Sequence, residues 1–365
     1  MSSLELHELH HGLNARFAEV NGREMVADYG DWLAEHAALH ESAGVLDLSF
    51  RGRICLTGAD RARWLNGQVT NNVKDLRAGQ GCYAALVTSK GKLQSDLNIF
   101  CLPNELLLDF EPGLTEAVSQ RLEKYIIADD VQVVDAAPHY GLLSVQGPKA
   151  ETVARSLGLP VEMPAKPMSF ISVNDATLGE IYLMNLPRAG TSGFDLFVPT
   201  ASLGAVADKL IAAARAVSGR ACGWTAFEAA RIEAGIPRFG ADMDESNLAP
   251  EPGIESRAIS YSKGCYIGQE VIARIRTYGH VAKSLRGLRL ADGLKELPVK
   301  GDKLFHDGKE VGFITSALAS PTLKANIALG YVRKEANHVG TQLTLHNKDG
   351  DSAAEIVELP FRVKG

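Results

Sequence analysis

Apolar and β-branched positions in "RICLTGADRARWLNGQ" run as a strand, break at a glycine turn with Asp60 near a helix start, and resume with helical spacing. About ninety residues further on, counting with an α/β repeat in mind, "GLLSVQGPKAETVARSLG" follows the same order. The first unit continues through "CYAALVTSKGKLQSDLNIFCLPNELLLDF", which alternates like a hairpin and its continuation, into the helix "LTEAVSQRLEKYII" and the strand "VQVVD". The second continues through "GEIYLMNL" and "GFDLFVP" into the helix "LGAVADKLIAAARA". Both read as strand–helix–strand–strand–helix units, which predicts sheets covered by helices on one face. From Ala291 the pattern changes to short strands punctuated by Gly-Lys, Asp-Gly and Lys-Asp-Gly, the pattern of a small β-barrel or sandwich.

Composition bounds the rest. A chain of 365 residues with 45% hydrophobic content is too long for one ordinary core and too apolar to be disordered, so two or three domains are expected. The longest apolar runs, such as "LIAAARAV", fall far short of the roughly 20 residues that a membrane helix needs. The opening "MSSLELHELHHGLNARF" carries acids and histidines where a signal peptide would carry a basic region and an apolar block, so a cytoplasmic location is expected. Its His7, His10 and His11 have no carboxylate or cysteine completing a recognisable metal set, and a polar N-terminal helix accounts for them; no metal site is expected. The five cysteines (Cys55, Cys82, Cys101, Cys222, Cys265) are scattered without close pairing, which suggests neither a disulfide framework nor a zinc ribbon. A net charge of −6 argues against a dedicated nucleic-acid surface. One local exception is Arg274, Arg276, His280, Lys283, Arg286 and Arg289, which reads either as a solvated face or as a landing site for a polyanion.

The stretch "SKGCYIGQEVIARIRTYGH", from Ser262 to His280, sets Cys265 between Lys263-Gly264 and a helix predicted to begin near Gly268. A lysine charge and a helix N-terminus both favour thiolate over thiol, so Cys265 reads as a reactive group; the other reading is a packed cysteine in a turn. "GQGCYAALV" lacks the Lys-Ser/Thr ending of a phosphate-binding loop, which leaves Cys82 as a strand residue.

"KGCYIGQE", followed by Ala273-Arg274, resembles the signature of the YgfZ family of folate-binding proteins that maintain iron–sulfur enzymes. "LHELHHGLNARFAEVNGREMVADYG", "LLSVQGPKA", "ARIEAGIPRFGADMDE" and "VGFITSALASPTLKANIALGYVRKE" resemble the wider group to which that family belongs, the glycine cleavage T-proteins, or aminomethyltransferases. The resemblance covers nearly the whole chain. It implies an α+β, three-domain architecture around a central channel that accepts tetrahydrofolate, with ferredoxin-like units and a C-terminal β-barrel. The corresponding segments are a folate-binding core of 1–52 with 137–280, an inserted unit of 53–136, and a barrel of 281–365.

Site residues follow from the same resemblance. A pterin presents an N–H beside an exocyclic amino group, for which a carboxylate is a natural bidentate partner. Asp195, in "RAGTSGFDLFVP", stands where T-proteins carry a pterin-binding glutamate. Arg231 matches a T-protein arginine associated with folate and would meet a carboxylate of the folate tail; the alternative is a surface pair with Glu228 or Glu233. T-proteins carry paired acids where this chain has Ser95-Asp96 in "TSKGKLQSDLNIF", and one such acid assists transfer of the aminomethyl carbon. Asp96 is the retained acid, although a strand aspartate facing solvent is an equal reading. The resulting expectation is a tetrahydrofolate-binding protein supporting assembly or repair of iron–sulfur enzymes. Cys265 and Lys263 would be its reactive pair, Asp96 an assisting acid, and Asp195 and Arg231 the folate ligands. Its partners would be folate, including polyglutamylated forms, and iron–sulfur proteins, with no membrane. The alternative is a tetrahydrofolate-dependent aminomethyltransferase or related one-carbon transferase, which the loss of an acid at Ser95 weakens.

Overall fold

The computed structural model describes residues 3–362. The first repeat consists of strand Gly52–Thr57, helix Arg61–Asn66, the strands Gln80–Val87, Leu93–Cys101 and Leu106–Phe110, helix Thr115–Glu123 and strand Gln132–Asp135. Its five strands lie in the order 80–87, 93–101, 106–110, 52–57, 132–135. The second repeat gives strand Tyr140–Gln146, helix Ala150–Arg155, strands Phe170–Asp175, Gly179–Asn185 and Gly193–Pro199, helix Leu203–Ala216 and strand Arg220–Ala221. Its strand order, 170–175, 179–185, 193–199, 140–146, 44–47, 220–221, is that of the first repeat with one strand added. The added strand is Gly44–Asp47, antiparallel to 140–146 and parallel to 220–221.

Period-2 alternation explains how the two sheets meet. In the first, Ile54, Leu56, Leu106 and Leu108 pack with Trp64, Leu65, Val118 and Leu122 of the covering helices. Cys55, Phe100 and Leu107 point the other way, into a core shared with Leu142, Phe170, Met184 and Phe197 of the second sheet. In the second, Leu143, Leu196 and Val198 face Leu203, Val206, Leu210 and their helix. Each sheet therefore has helices on one face, as the pattern predicts, and the other faces stack on each other. Strands apolar on both faces, such as "LLLDF", are what a sheet buried on both sides requires.

The N-terminal histidines lie on helix His7–Gly12, but His10 is not a polar surface residue. It is buried, with Nε2 2.9 Å from Asp47 and Nδ1 2.9 Å from the Tyr29 hydroxyl.

Two compact units emerge: residues 1–86 with 95–230, which hold both sheets, and 87–94 with 231–365. In the second, strands Lys283–Leu290, Ala325–Arg333, Lys309–Ser320, Lys303–His306, Gln342–Asn347 and Gly350–Val357 close into a barrel in that order. Closure pairs 283–290 with 350–357 and leaves no free sheet edge. Leu288, Leu304, Ile314, Val332, Leu345 and Ile356 fill its core. Among the described residues, no helix is long and apolar enough to cross a membrane.

Candidate active site

Alternation along strand Leu93–Cys101 sends Leu97 and Ile99 into the helix-covered core and places Asp96 and Asn98 on the opposite face. Ser95 and Asp96 thus point to opposite sides of the sheet. Ser95 is fully buried and its hydroxyl donates to the Asp96 carbonyl at 3.0 Å. Only Asp96 is placed on the face that carries the other ionisable groups. Its Oδ2 accepts from the Tyr83 hydroxyl at 2.8 Å, whereas Oδ1 is enclosed and has no hydrogen-bond partner among the described residues. Burial, reinforced by Glu111, pushes the Asp96 carboxyl up to about 6; Tyr83 and Arg51 oppose the shift without cancelling it.

A buried ionic chain occupies the neighbouring strands. Asp109 accepts from Arg51 Nε at 2.8 Å, Arg188 at 2.7 Å and Asn98 at 2.9 Å. Arg51 also pairs with Glu111. Arg188 reaches Asp195 through Nε at 2.7 Å, and the Ser144 hydroxyl donates to the other Asp195 oxygen, also at 2.7 Å. Gln146 ties the far end down by donating to Ser144 and accepting from the Arg188 backbone N–H. Burial alone would raise Asp109, but Arg188 and Arg51 together hold it well below the usual carboxylate range. Asp195 has Arg188 as its main counter-charge, and burial raises its carboxyl despite that pair. Counting Asp96, the guanidinium groups are outnumbered by carboxyls, which is why a proton is retained most readily at the acid with an unpaired oxygen.

Asp195 therefore differs from its sequence expectation in one respect: it is fully buried and both of its oxygens are already engaged. A pterin using it as a bidentate acceptor would have to share it with Ser144 and Arg188.

In the second unit, helix Gln269–Tyr278 begins directly after Gly268, as predicted. Gly268 has φ +86, and a Cβ there would come within 2.5 Å of the Thr88 carbonyl oxygen. That close approach of the 87–94 hairpin tip explains the glycine in the motif. Cys265 is exposed in the loop before the helix. Lys263 is buried, with Nζ 5.0 Å from the centre of the Tyr266 ring, so its charge is partly held by a cation–π contact. Arg231 is buried, paired with Asp242, and donates to the Ser316 hydroxyl at 3.1 Å. Asp242 also accepts from Thr315 and Ser316 at 2.6 Å each. The basic stripe is interrupted in space, since Arg274 pairs with Glu270, Arg276 lies over the Tyr261 ring at 3.9 Å, and Lys283 lies over Phe313 and Tyr331.

The contrast among thiols yields a direct test. Cys55 and Cys222 are buried, and burial raises the thiols of both. Under limiting iodoacetamide near neutral pH, Cys265 is expected to label at least about tenfold faster than either, because exposure and thiolate population both set the rate. Peptide mass spectrometry reads the order; equal labelling of Cys55 or Cys222 would remove Cys265 as the accessible nucleophile.

Residue-by-residue reading of the sequence overlooks Arg51, Tyr83, Asp109, Glu111 and Arg188. Asp109 left a trace, as the lone acid within "LLLDF", but nothing local pairs it with Arg51 or Arg188, 58 and 79 residues away.

Comparison with known proteins places these features in a family context. The family described as the GCVT N-terminal domain matches residues 6–263, and that described as the glycine cleavage T-protein C-terminal barrel domain matches residues 283–362. A protein of Halalkalibacterium halodurans named aminomethyltransferase is 29% identical over 354 residues, covering 93% of this chain and 94% of its own length. Another of that name from Geobacillus kaustophilus is 29% identical over 348 residues, covering 95% and 94%. A third from Bacillus subtilis is 26% identical over 357 residues, covering 98% of each. The crystal structure of glycine cleavage system aminomethyltransferase T from Bartonella henselae shares the fold, with a TM-score of 0.88 and 23% identity over 99% of this chain and 98% of that one.

Proposed function

The chain belongs to the glycine cleavage T-protein family, and from that membership we propose that it binds tetrahydrofolate and passes it an aminomethyl or related one-carbon unit, with Asp96 handling the proton. The observation that carries the reading is the enclosed, unpaired Oδ1 of Asp96, on a carboxyl raised to about 6. A buried polar atom without a partner is the kind of group a bound ligand completes. A carboxyl titrating near the working pH is suited to proton transfer. Tetrahydrofolate, when bound, supplies the nitrogen that takes up the one-carbon unit. Asp96, ionised, accepts the proton released there at Oδ1, while Tyr83 fixes the carboxyl through Oδ2. The buried Arg51, Asp109 and Arg188 hold the surrounding strands together. The name aminomethyltransferase, borne by the relatives, supports this reading. The missing second acid argues little against it, because position 95 faces the opposite, buried side of the strand.

A second reading, support of iron–sulfur enzymes in the manner of YgfZ proteins, is favoured by one specific feature: the "KGCYIGQE" motif with its exposed Cys265. One thiol cannot supply the usual four ligands of a cluster, so any contact would be shared with a client protein. Calorimetric titration with tetrahydrofolate, run beside a single-turnover one-carbon transfer assay, separates the readings. Binding with transfer that depends on Asp96 supports the first. Binding without transfer, joined to a Cys265→Ser variant that fails to restore iron–sulfur enzyme activity in cells lacking the protein, supports the second. No binding defeats both.

A further inference from the structure

We propose that the second unit carries a separate binding cleft for a small organic carboxylate, at the mouth of the barrel, with Arg286 as its anchor. This inference is independent of the tetrahydrofolate reading. The cleft has a volume of about 760 Å³ and is walled by Ile236, Pro237, Leu285 and Leu359, with Arg257 and Arg286 in its lining. Small-molecule sites commonly have volumes of about 300–1,000 Å³, mostly apolar walls and a few placed polar groups.

Strand register explains why a guanidinium stands there. Leu288 and Leu290 point into the barrel core, and Arg286 occupies the same face one pleat earlier. Pairing between strands 283–290 and 350–357 ends at Gly287 opposite Val357, so Arg286 lies just past the last rung, at the open end of the interior row. Gly287 makes room for the Leu359 side chain, which a Cβ at 287 would approach to 2.7 Å.

The charge there has no counterpart. Arg286 Nε is enclosed without a hydrogen-bond partner, and no carboxylate forms an ion pair with its guanidinium among the described residues. A planar donor fork matches a carboxylate bidentately. The exposed Glu358 on the lining disfavours a second negative charge on the ligand. That balance selects a monoanionic carboxylate with an apolar body over a phosphate dianion.

The full-length chain can be tested with 3-phenylpropionate as probe, 3-phenylpropanol as its uncharged counterpart and phenyl phosphate as the dianion. Calorimetry is expected to show the carboxylate binding at least about tenfold more tightly than the alcohol, the usual effect of a charge-assisted hydrogen bond, and more tightly than phenyl phosphate. Arg286→Met should abolish that preference while leaving thermal stability unchanged or raised, since the guanidinium it removes has no partner. Hydrogen exchange with the probe bound should show protection confined to the lining segments 234–237, 252–257, 285–287, 339 and 357–360. Equal affinity for alcohol and carboxylate, tighter binding of phenyl phosphate, protection elsewhere, or unchanged binding in a folded Arg286→Met variant would each overturn the proposal. The comparison of probes on the parent chain decides the matter even if the variant does not fold.

Discussion

Asp96→Asn is expected to lower one-carbon transfer by about 10²- to 10⁴-fold, the range associated with loss of a positioned proton-transfer group. Tetrahydrofolate affinity should change far less, because the amide keeps the size of the side chain and an acceptor for the Tyr83 hydroxyl. In the parent protein, the rate should fall as pH drops through about 6, where Asp96 takes up its proton. Glu111→Gln should move that midpoint downward, since Glu111 is the charge that helps raise it. Stability should respond with the opposite sign. The folded carboxyl is raised from 3.8 to about 6, so its ionised form is disfavoured by the fold, and stability is lost as pH rises through that window. Asparagine carries no charge to penalise, so the variant should be more stable than the parent near pH 7 by about 1–3 kcal/mol, at ~1.4 kcal/mol per pKa unit, and equal to it below pH ~4. Single-turnover kinetics and urea melts across this pH range test both halves. A variant that transfers normally, or a parent whose rate is flat through pH 6, would remove Asp96 from the chemistry.

Asp109→Asn should be the most destabilising single change in the first unit, by about 3–5 kcal/mol, because it leaves two buried guanidinium groups without their shared carboxylate. Arg51 and Arg188 both depend on it, and Asn98 would face an amide that is a poorer acceptor. Asp109 is held far below its ordinary 3.8, so its contribution is present above that value and drains away as pH falls below it. The parent should therefore lose stability on acidification below pH ~4 more steeply than the variant does. Asp195→Asn should cost less, since burial already opposes the charge on that residue. Urea unfolding measures both variants; an Asp109→Asn chain within about 1 kcal/mol of the parent would mean that the ionic chain does not hold the sheets, as a surface pair would not.

The locally encoded features were legible without the tertiary structure. The succession of strands and helices in each repeat followed from alternation giving way to helical spacing, although each repeat has three strands between its helices where the pattern predicts two. The barrel followed from short strands between Gly and Asp-Gly turns, because these patterns belong to single elements. The helix start at Gly268 was legible for the same reason, although the close approach of Thr88 that requires a glycine was not. The motif likewise marked Cys265, whose exposure in the loop accords with a thiol outside the core.

Other features belonged to pairings between distant segments. Strand Gly44–Asp47 joins the second repeat's sheet through register with residues nearly one hundred positions later, which no local window contains. Asp195 and Arg231 were visible as charged residues, but whether either is available to a ligand depends on Ser144, Arg188 and Asp242, which only folding brings beside them. Asp96 shows the division most clearly. The sequence determined that an acid follows Ser95 in an alternating strand, and therefore that the two face opposite ways. The stacking of two sheets then decided that Asp96 would lie near Tyr83, Arg51 and Glu111 with one oxygen unpaired, because a pKa is set by solvation and neighbouring charge, and both of these are properties of the assembled core.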